Sequence, residues 1–294
     1  MRLDDYRSSS NVEDQRGQSF GGGGGFGGGG GLGLLLSLVG SRFGIVGILV
    51  VIGGAFLLGI NPFGGGTPAP RVVQQQPGQT AAGTCAVNAE SAFTCRVLAS
   101  TEDTWARIFQ ESGQQYRPAP LVFYSQAGQS GCGAAQSAMG PFYCPADNRI
   151  YLDTTFFGEL ANRFGAAGDF AQAYVIAHEV GHHIQTITGI SDKVRAAQSR
   201  ASEAEGNALQ VKMELQADCY AGVWAARNRD RIEPGDVQEG LRAAEAIGDD
   251  TLQKAAQGRV VPESFTHGSS AQRMAWLKRG LDSGDPARCD TFAA

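Results

Sequence analysis

The run HEVGH in this sequence combines side chains that could bind a metal ion with one that could move a proton. His178 and His182 lie four positions apart, and Glu179 follows the first of them. On an α-helix, residues four apart share a face, so both imidazoles could bind one ion. The H-E-x-x-H spacing is typical of helices that bind Zn²⁺ and in which the glutamate acts as a base toward an activated water. We therefore expect His178 and His182 to be zinc ligands and Glu179 to be catalytic.

A catalytic zinc ion takes three protein ligands, and Glu214 is the strongest candidate for the third. It begins the run ELQAD, 32 residues after His182, on a second predicted helix with apolar neighbours. These neighbours argue against the alternative of a solvated helix face. Asp218, one turn later, could accept a hydrogen bond from a ligand histidine. Together these residues form a gluzincin arrangement, whereas the metzincin alternative needs a histidine where Thr188 stands.

His267 is the other histidine that could take part in the reaction. It lies in the run THGSSAQR, where it could polarise a substrate carbonyl or stabilise an oxyanion, with Arg273 supporting it. The alternative is a cap at the start of a helix, formed by Ser269 or Ser270. The two interpretations are compatible. His183, in contrast, faces away from the metal-binding side of its helix, and we expect it to have a packing or orienting role.

The elements that must position these residues are mostly helices. Apolar periodicity and stop signals predict helices over 100–112, 171–188, 203–227, 236–247 and 271–281, and short strands over 121–124 and 149–152. Early strands followed by many helices indicate an α+β fold, a mainly helical zincin-like metallopeptidase domain with a small sheet. The strand at 149–153 could pair with an extended substrate.

The composition differs sharply between the start of the chain and the rest. Of the 42 glycines among 294 residues, 21 lie in the first 66 residues. Residues 1–41 are polar and then glycine-rich, which predicts a disordered tail. The net charge of −5 and the lack of a Lys/Arg-rich block argue against binding to nucleic acid.

Residues 42–60 form the most apolar segment of the chain. The stretch 43–60 has 18 residues without a charge, and as a helix it would reach about 27 Å, enough to cross a bilayer core. We expect an uncleaved, single-pass transmembrane helix. Four arginines precede it, which favours a cytoplasmic N-terminus. A linker at 61–84 would then lead to a folded domain at 85–294 outside the cytoplasm.

Six cysteines lie in the predicted domain, at positions 85, 95, 132, 144, 219 and 289. They allow fifteen pairings, and their spacings suggest Cys85–Cys95, Cys132–Cys144 and Cys219–Cys289. Such bonds need an oxidising compartment, in agreement with a domain outside the cytoplasm. Six free buried thiols are the alternative.

Several segments together resemble the bacterial neutral zinc metallopeptidase family. They are NVED near the start, the single apolar segment, HEVGHH, ELQADC, ESFTHGSSAQR and the C-terminal GLDSGDPARCDTF. The resemblance implies a membrane-anchored zinc peptidase. Together with the arginines and cysteines, it leads us to expect a protein of the bacterial inner membrane with a periplasmic catalytic domain that acts on a peptide or protein.

The expected mechanism uses Zn²⁺ held by His178, His182 and Glu214, which lowers the pKa of a bound water to about 7. Glu179 would remove the proton of this water and later return it to the leaving amine. One alternative is a catalytically inactive zinc-binding scaffold of the envelope, although the intact Glu179 argues against it. Another is a structural zinc site, but such sites usually have four ligands with cysteine among them, and the sequence offers no obvious fourth.

Overall fold

Helices form most of the structure, a computed structural model that describes residues 1–18 and 80–293. Their bounds are α1 Ala81–Cys85, α2 Ala89–Glu111, α3 Thr155–Asn162, α4 Asp169–Ile187, α5 Ile190–Gln198, α6 Glu203–Arg227, α7 Asp236–Ala246, α8 Asp249–Gln257 and α9 Ser270–Ser283. The predicted α+β class, mainly helical with a small sheet, is confirmed. Each predicted helix is present, but α2 starts at Ala89 rather than at residue 100, because the Asn88 side chain caps it by accepting from the Ser91 N–H.

The strands form one mixed sheet and one separate hairpin. Their bounds are β1 Val12–Asp14, β2 Leu121–Phe123, β3 Ala127–Ser130, β4 Gly133–Gln136, β5 Phe142–Cys144 and β6 Arg149–Leu152. The sheet order is β1-β2-β6-β5, with β5 antiparallel to β6 and the other pairs parallel, and β3 pairs with β4. Because β6 lies between β2 and β5, its backbone groups are already paired. The expectation that it binds an extended substrate is therefore wrong, and β5 is the edge strand on that side.

Glycines allow α6 to lie unusually close to both α4 and α9. A Cβ atom on Gly181 of α4 would lie 2.9 Å from the Cα atom of Ala217 on α6. A Cβ atom on Gly280 of α9 would lie 1.9 Å from the carbonyl oxygen of Cys219. Real Cβ atoms cannot approach backbone so closely, so these contacts need glycine. Side chains of α4, α6 and α9 can thus meet in one buried centre.

The N-terminal residues pack against the rest of the protein. Strand β1 pairs in parallel with β2, from Val12 opposite Leu121 to Asp14 opposite Phe123. The α-amino group of Met1 is buried and lies 2.6 Å from the carboxylate of Asp169, the first residue of α4. Residues 1–18 are therefore ordered, and the prediction that they belong to a disordered tail is wrong. A three-residue strand is too short to produce a periodic pattern, and only its pairing with β2 defines it.

This pairing also bears on the predicted membrane arrangement. Hydrogen-bonded strands must lie on the same side of any membrane, so residues 1–18 and 80–293 share one compartment. A cytoplasmic N-terminus with the domain outside conflicts with the pairing. Three predicted segments lie outside the described residues. They are the tail residues 19–41, the transmembrane segment 42–60 and the linker residues 61–79. Within the described parts of the chain, no helix is long and apolar enough to cross a bilayer.

Three disulfide bonds cross-link the described domain, with the predicted pairings. They are Cys85–Cys95, Cys132–Cys144 and Cys219–Cys289. The first joins α1 to α2, and the second joins the β3–β4 hairpin to β5. The third joins the middle of α6 to the C-terminal segment, across a sequence separation of 70 residues. Of the three, it closes by far the longest loop.

Candidate metal centre and active site

The structure brings His178, His182 and Glu214 together where α4 and α6 touch. The Nε2 atom of His178 lies 3.2 Å from one carboxylate oxygen of Glu214, and the Nε2 atom of His182 lies 3.5 Å from the other. The close approach at Gly181, between the two histidines, allows α6 to bring Glu214 this near. His178 and Glu214 are buried, and His182 is partly buried.

The donor atoms of these residues are close enough to share one ion. One ligand atom from each of His178, His182 and Glu214 lies within 4.8 Å of the other two. Two imidazole nitrogens and a carboxylate oxygen are a donor set that suits Zn²⁺. Within the described residues, one other acidic group, Asp169 with Asp236 and Glu239, is close enough to hold a cation. There the Met1 ammonium group already contacts Asp169 and Asp236.

Asp218 anchors the first histidine through a buried network of charges. Its carboxylate lies 2.8 Å from the Nδ1 atom of His178. It also accepts two hydrogen bonds of 2.9 Å from the guanidinium group of Arg273 and one of 2.6 Å from the hydroxyl group of Tyr174. Because a carboxylate can only accept, Nδ1 of His178 must carry a proton, so Nε2 is the atom of this ring that can bind a metal.

Arg273 therefore supports Asp218 and His178, and not His267 as the sequence suggested. Its side chain is only 2% exposed. It also donates to the carbonyl oxygen of Ile247, which ties α9 to the end of α7. A guanidinium group reaches this depth because the Asp218 carboxylate compensates its charge.

Gln185 anchors the second histidine, and sequence reasoning missed this residue. Its Oε1 atom lies 2.9 Å from the Nδ1 atom of His182. Gln185 lies three positions after His182 on α4, so helical spacing alone could have suggested the contact. It is fully buried, and a buried glutamine needs hydrogen-bond partners. The second histidine is thus held by a neutral amide, and the first by a carboxylate.

Charges at the centre are strongly coupled. Burial works to lower the pKa of His178, but the carboxylates of Asp218 and Glu214 outweigh it and raise this pKa to about 10. Burial works to raise the pKa of Glu214, but the neighbouring His182 and His178 hold it well below its usual range. Glu214 is therefore an anion at neutral pH. A metal ion that binds Nε2 of His178 must displace a proton, so metal affinity should rise with pH.

Glu179 lies beside the three candidate ligands and remains available as a base. It faces the same cavity as His178, His182 and Glu214. Burial raises the pKa of its carboxyl group, and the positive charges of the two histidines and the backbone N–H of Tyr143 on β5 oppose this rise. A raised carboxyl pKa brings a general base closer to neutral pH, where proton transfer in both directions is efficient.

His267 also lines the cavity, three residues before the start of α9. Its Nδ1 atom lies 3.2 Å from the carboxylate of Asp249, and the N–H groups of residues 266–268 all donate to that carboxylate. Burial works to lower the pKa of His267, but Asp249 and Glu214 raise it overall. The helix cap that the sequence offered as the alternative is also present, because Ser269 accepts from the N–H of Gln272. The structure thus accommodates both interpretations of this segment.

His183 faces away from the metal centre toward the sheet. Its Nε2 donates to the carbonyl oxygen of Arg117 at 2.6 Å, and its Nδ1 lies 3.2 Å from the hydroxyl group of Tyr143. Burial lowers its pKa, so the ring is neutral at pH 7. The contact with Tyr143 links α4 to the edge strand β5, which is the packing and orienting role predicted for this residue.

The candidate ligands open into a cavity of about 440 Å³, a size typical of ligand sites. Besides the polar residues described above, apolar side chains form its walls: Met139, Phe142, Phe156, Phe164, Val175, Val194 and Met213. The edge strand β5 contributes Phe142 and Tyr143, and α5 and α6 form the other wall. Among the described residues, no strand pairs with the outer side of β5, so the metal centre lies in a mostly apolar pocket beside a sheet edge.

Comparison with known proteins identifies the relatives of this chain. A family model described as "Putative neutral zinc metallopeptidase" matches residues 1–292. The chain is 49% identical to the uncharacterized protein YpfJ of Escherichia coli (strain K12), over 99% of both chains. It is 41% identical to the uncharacterized protein Rv2575 of Mycobacterium tuberculosis, over 82% of this chain and 85% of the relative. No solved structure matches it.

Proposed function

Because the chain belongs to the neutral zinc metallopeptidase family, we propose that it hydrolyses peptide bonds at the centre formed by His178, His182 and Glu214. One observation carries the proposal. Two histidines and a glutamate close enough to share one ion, together with a carboxylate base, face the same cavity. A structural zinc site would be closed by a fourth ligand, whereas this one faces a pocket large enough for a peptide side chain.

Each residue has a defined task in this proposal. A zinc ion at this centre supplies Lewis acidity, which activates water and polarises a carbonyl group. Glu179 accepts the proton of the attacking water at its carboxylate and later gives it to the leaving amine. His267, held by Asp249, donates a hydrogen bond to the oxygen that develops negative charge. Asp218 and Arg273 keep Nδ1 of His178 protonated and its ring in place.

The proposed substrate is an extended peptide that lies along β5. An edge strand offers unpaired backbone N–H and C=O groups, which a substrate can use to form an additional strand. The apolar walls of the cavity, including Phe142 and Met213, favour a bulky apolar side chain next to the cleaved bond. Peptides with such residues should be cut faster than those with charged ones.

Substitution Glu179→Gln tests the hydrolytic function. The full chain, loaded with one equivalent of zinc, is assayed on a quenched fluorescent peptide library next to Glu179→Gln and the exposed control Glu203→Gln. Loss of a general base should lower the hydrolysis rate about 10²–10⁴-fold, with zinc still bound. A wild-type protein that binds zinc and cleaves nothing would favour the inactive scaffold. Equal rates in wild type and Glu179→Gln would overturn the mechanism.

We also propose that the domain works outside the cytoplasm, held at the membrane surface by segment 42–60, which in this arrangement does not cross the bilayer. The three disulfide bonds support this location because they persist in oxidising compartments. The pairing of β1 with β2 then puts residues 1–18 outside as well. Cysteines introduced at the exposed positions Ser8 and Ser199 should both react with a membrane-impermeant maleimide in intact spheroplasts. Labelling of Ser8→Cys only after permeabilisation would contradict the proposal.

A further inference from the structure

We propose that Gln185 is the positioning residue for His182, and that Gln216 and the C-terminal segment hold Gln185 in turn. The four members of this amide relay are His182, Gln185, Gln216 and the carbonyl group of Cys289. The inference rests on the proposed zinc site. It predicts that a segment near the C-terminus, more than 100 residues from His182 in sequence, affects how a metal is bound.

The links of the relay are short and continuous. Nδ1 of His182 lies 2.9 Å from Oε1 of Gln185. Nε2 of Gln185 donates to Oε1 of Gln216 at 3.1 Å and to the carbonyl oxygen of Met213 at 2.7 Å. Nε2 of Gln216 donates to the carbonyl oxygen of Cys289 at 3.0 Å. The relay therefore runs from the α4 ligand, across α6, to the C-terminal segment.

Two backbone carbonyl groups determine which way each amide points. A carbonyl oxygen can only accept, so the NH₂ group of Gln216 must face Cys289 and its Oε1 atom must face Gln185. In the same way, the carbonyl of Met213 requires the NH₂ group of Gln185 on its side. The Oε1 atom of Gln185 is then left for His182. The relay thus places the proton of His182 on Nδ1 and leaves its Nε2 toward Glu214.

Burial makes the relay difficult to replace by solvent. Gln185 is 0% exposed and Gln216 is 3% exposed. If one amide is lost, water cannot readily reach the groups that remain, and buried polar atoms without partners cost about 1–3 kcal/mol each. His182 would then be free to rotate or to adopt the other tautomer. Either change moves its Nε2 lone pair away from the position that a metal requires.

The Cys219–Cys289 disulfide holds the far end of the relay. It fixes Cys289 against α6, because its partner Cys219 lies on that helix, five residues after Glu214. A second contact, from the Thr291 hydroxyl group to the carbonyl oxygen of Lys212 at 2.7 Å, holds the same segment. The C-terminal segment therefore presents the Cys289 carbonyl to Gln216 in a fixed position.

Zinc affinity of Gln185→Leu tests the inference. Leucine keeps the approximate shape of glutamine but removes both its donor and its acceptor. Gln172→Leu, at a partly exposed position on the same helix, is the matched control. Affinity is measured on the full chain by competition with a chromophoric chelator. We expect Gln185→Leu to bind zinc about 10–100-fold more weakly and Gln172→Leu to bind it as wild type does.

A spectroscopic readout separates positioning from general destabilisation. In zinc-loaded wild type, the imidazole Nδ1 protons of both His178 and His182 should give slowly exchanging NMR signals, because both are hydrogen-bonded and shielded from water. In Gln185→Leu the signal of His182 should disappear while that of His178 persists. Persistence of the His182 signal in folded Gln185→Leu would contradict the inference. A global loss of structure would remove both signals, and Gln216→Leu would then decide the test.

Gln216→Leu keeps the test decisive if Gln185→Leu does not fold. It removes one of the two acceptors that hold the Gln185 amide and leaves the Met213 carbonyl in place, so zinc should bind less tightly than in wild type but more tightly than in Gln185→Leu. If wild type binds no zinc, the proposed function fails and the relay has no metal to serve. If wild type binds zinc, and both Gln216→Leu and a folded Gln185→Leu bind it equally well, the relay is wrong. The proposed function would still stand.

Discussion

The two histidines of the metal centre are one helical turn apart, yet the protein holds them in opposite ways. On the charged side, His178 donates to Asp218. The charge of Asp218 is compensated by Arg273, and its carboxylate also accepts a hydrogen bond from the Tyr174 hydroxyl group. On the amide side, His182 donates to Gln185, and no ionised group takes part in the rest of its relay. The first side depends on compensated buried charges and the second on the direction of two amides.

This difference predicts how each side responds to change. A buried ion pair is costly to assemble, and removing one partner leaves an uncompensated charge in the interior. A neutral amide carries no such penalty, and its loss costs mainly unsatisfied hydrogen bonds. The charged side should therefore dominate folding stability and pH dependence. The amide side should mainly affect how His182 is oriented and how tightly the metal is bound.

Substitution Asp218→Asn should have the largest effect on stability. It keeps the shape of the side chain but leaves the charge of Arg273 buried without a partner. The unfolding free energy of the metal-free protein should fall by about 3–5 kcal/mol, measured by urea denaturation. The exposed control Asp192→Asn should change it by less than about 0.5 kcal/mol. Adding Arg273→Met to Asp218→Asn should restore part of the loss, and a double variant less stable than the single one would contradict the charge argument.

Substitution Gln185→Leu should destabilise the metal-free protein less than Asp218→Asn does. It leaves the carbonyl group of Met213 and the Oε1 atom of Gln216 without donors, at a cost of about 1–3 kcal/mol in unfolding free energy. Gln172→Leu should be close to neutral in the same denaturation experiment. If Gln185→Leu proved as costly as Asp218→Asn, the distinction between a charged and an amide side would not hold.

Alkaline pH should weaken the metal-free protein mainly through His178. Its pKa in the folded state, about 10, exceeds the unfolded value of 6.5. The stability from its protonated form is fully present below pH 6.5 and is lost as the pH rises through 10. One such group contributes a slope of at most about 1.4 kcal/mol per pH unit. Denaturation at pH 7, 8 and 9 should show this decline in wild type and a much flatter one in His178→Gln. An equal slope in both would assign the effect to other groups.

Loss of the Cys219–Cys289 disulfide should have the smallest effect on zinc affinity among these changes. It should act through the amide side, at the Cys289 carbonyl. The double variant Cys219→Ala/Cys289→Ala loosens the Cys289 carbonyl, so zinc affinity should drop by about tenfold or less, equivalent to about 1.4 kcal/mol. The matched variant Cys85→Ala/Cys95→Ala removes a disulfide between α1 and α2 and should leave zinc affinity unchanged. Affinity is compared among folded variants by chelator competition. Equal losses in both pairs would mean that cross-linking in general, and not the relay, affects the metal.

Much of the candidate site follows from short-range patterns in the sequence. The spacing of His178 and His182 defines a shared helix face, and the same rule relates Glu214 to Asp218 one turn later. The capping pair Ser202 and Glu205 marks the start of α6, which begins where the sequence predicts. Two of the cysteine pairings, Cys85–Cys95 and Cys132–Cys144, close short loops as well. In each case, the signal lies within a few turns of helix or within one short loop.

Other features have no such local signal. The sequence assigned Arg273 to His267, because the two are near each other along the chain. In the structure, the close packing of α9 against α6 at Gly280 carries Arg273 to Asp218 instead. The sequence predicts a disordered tail where strand β1 lies, because three residues carry too little pattern to indicate a strand. It is defined by backbone hydrogen bonds to β2, more than 100 residues away.

The sequence by itself therefore determined the metal-binding helix, its base and the helix that supplies the third candidate ligand. These depend on periodicity, which is a property of neighbouring residues. Only the tertiary structure decided which polar side chains hold the two histidines, where the N-terminal residues lie and which strand forms the edge beside the pocket. Such contacts depend on how closely helices and strands approach one another. That approach is set by packing across the whole domain, which short-range spacing does not encode.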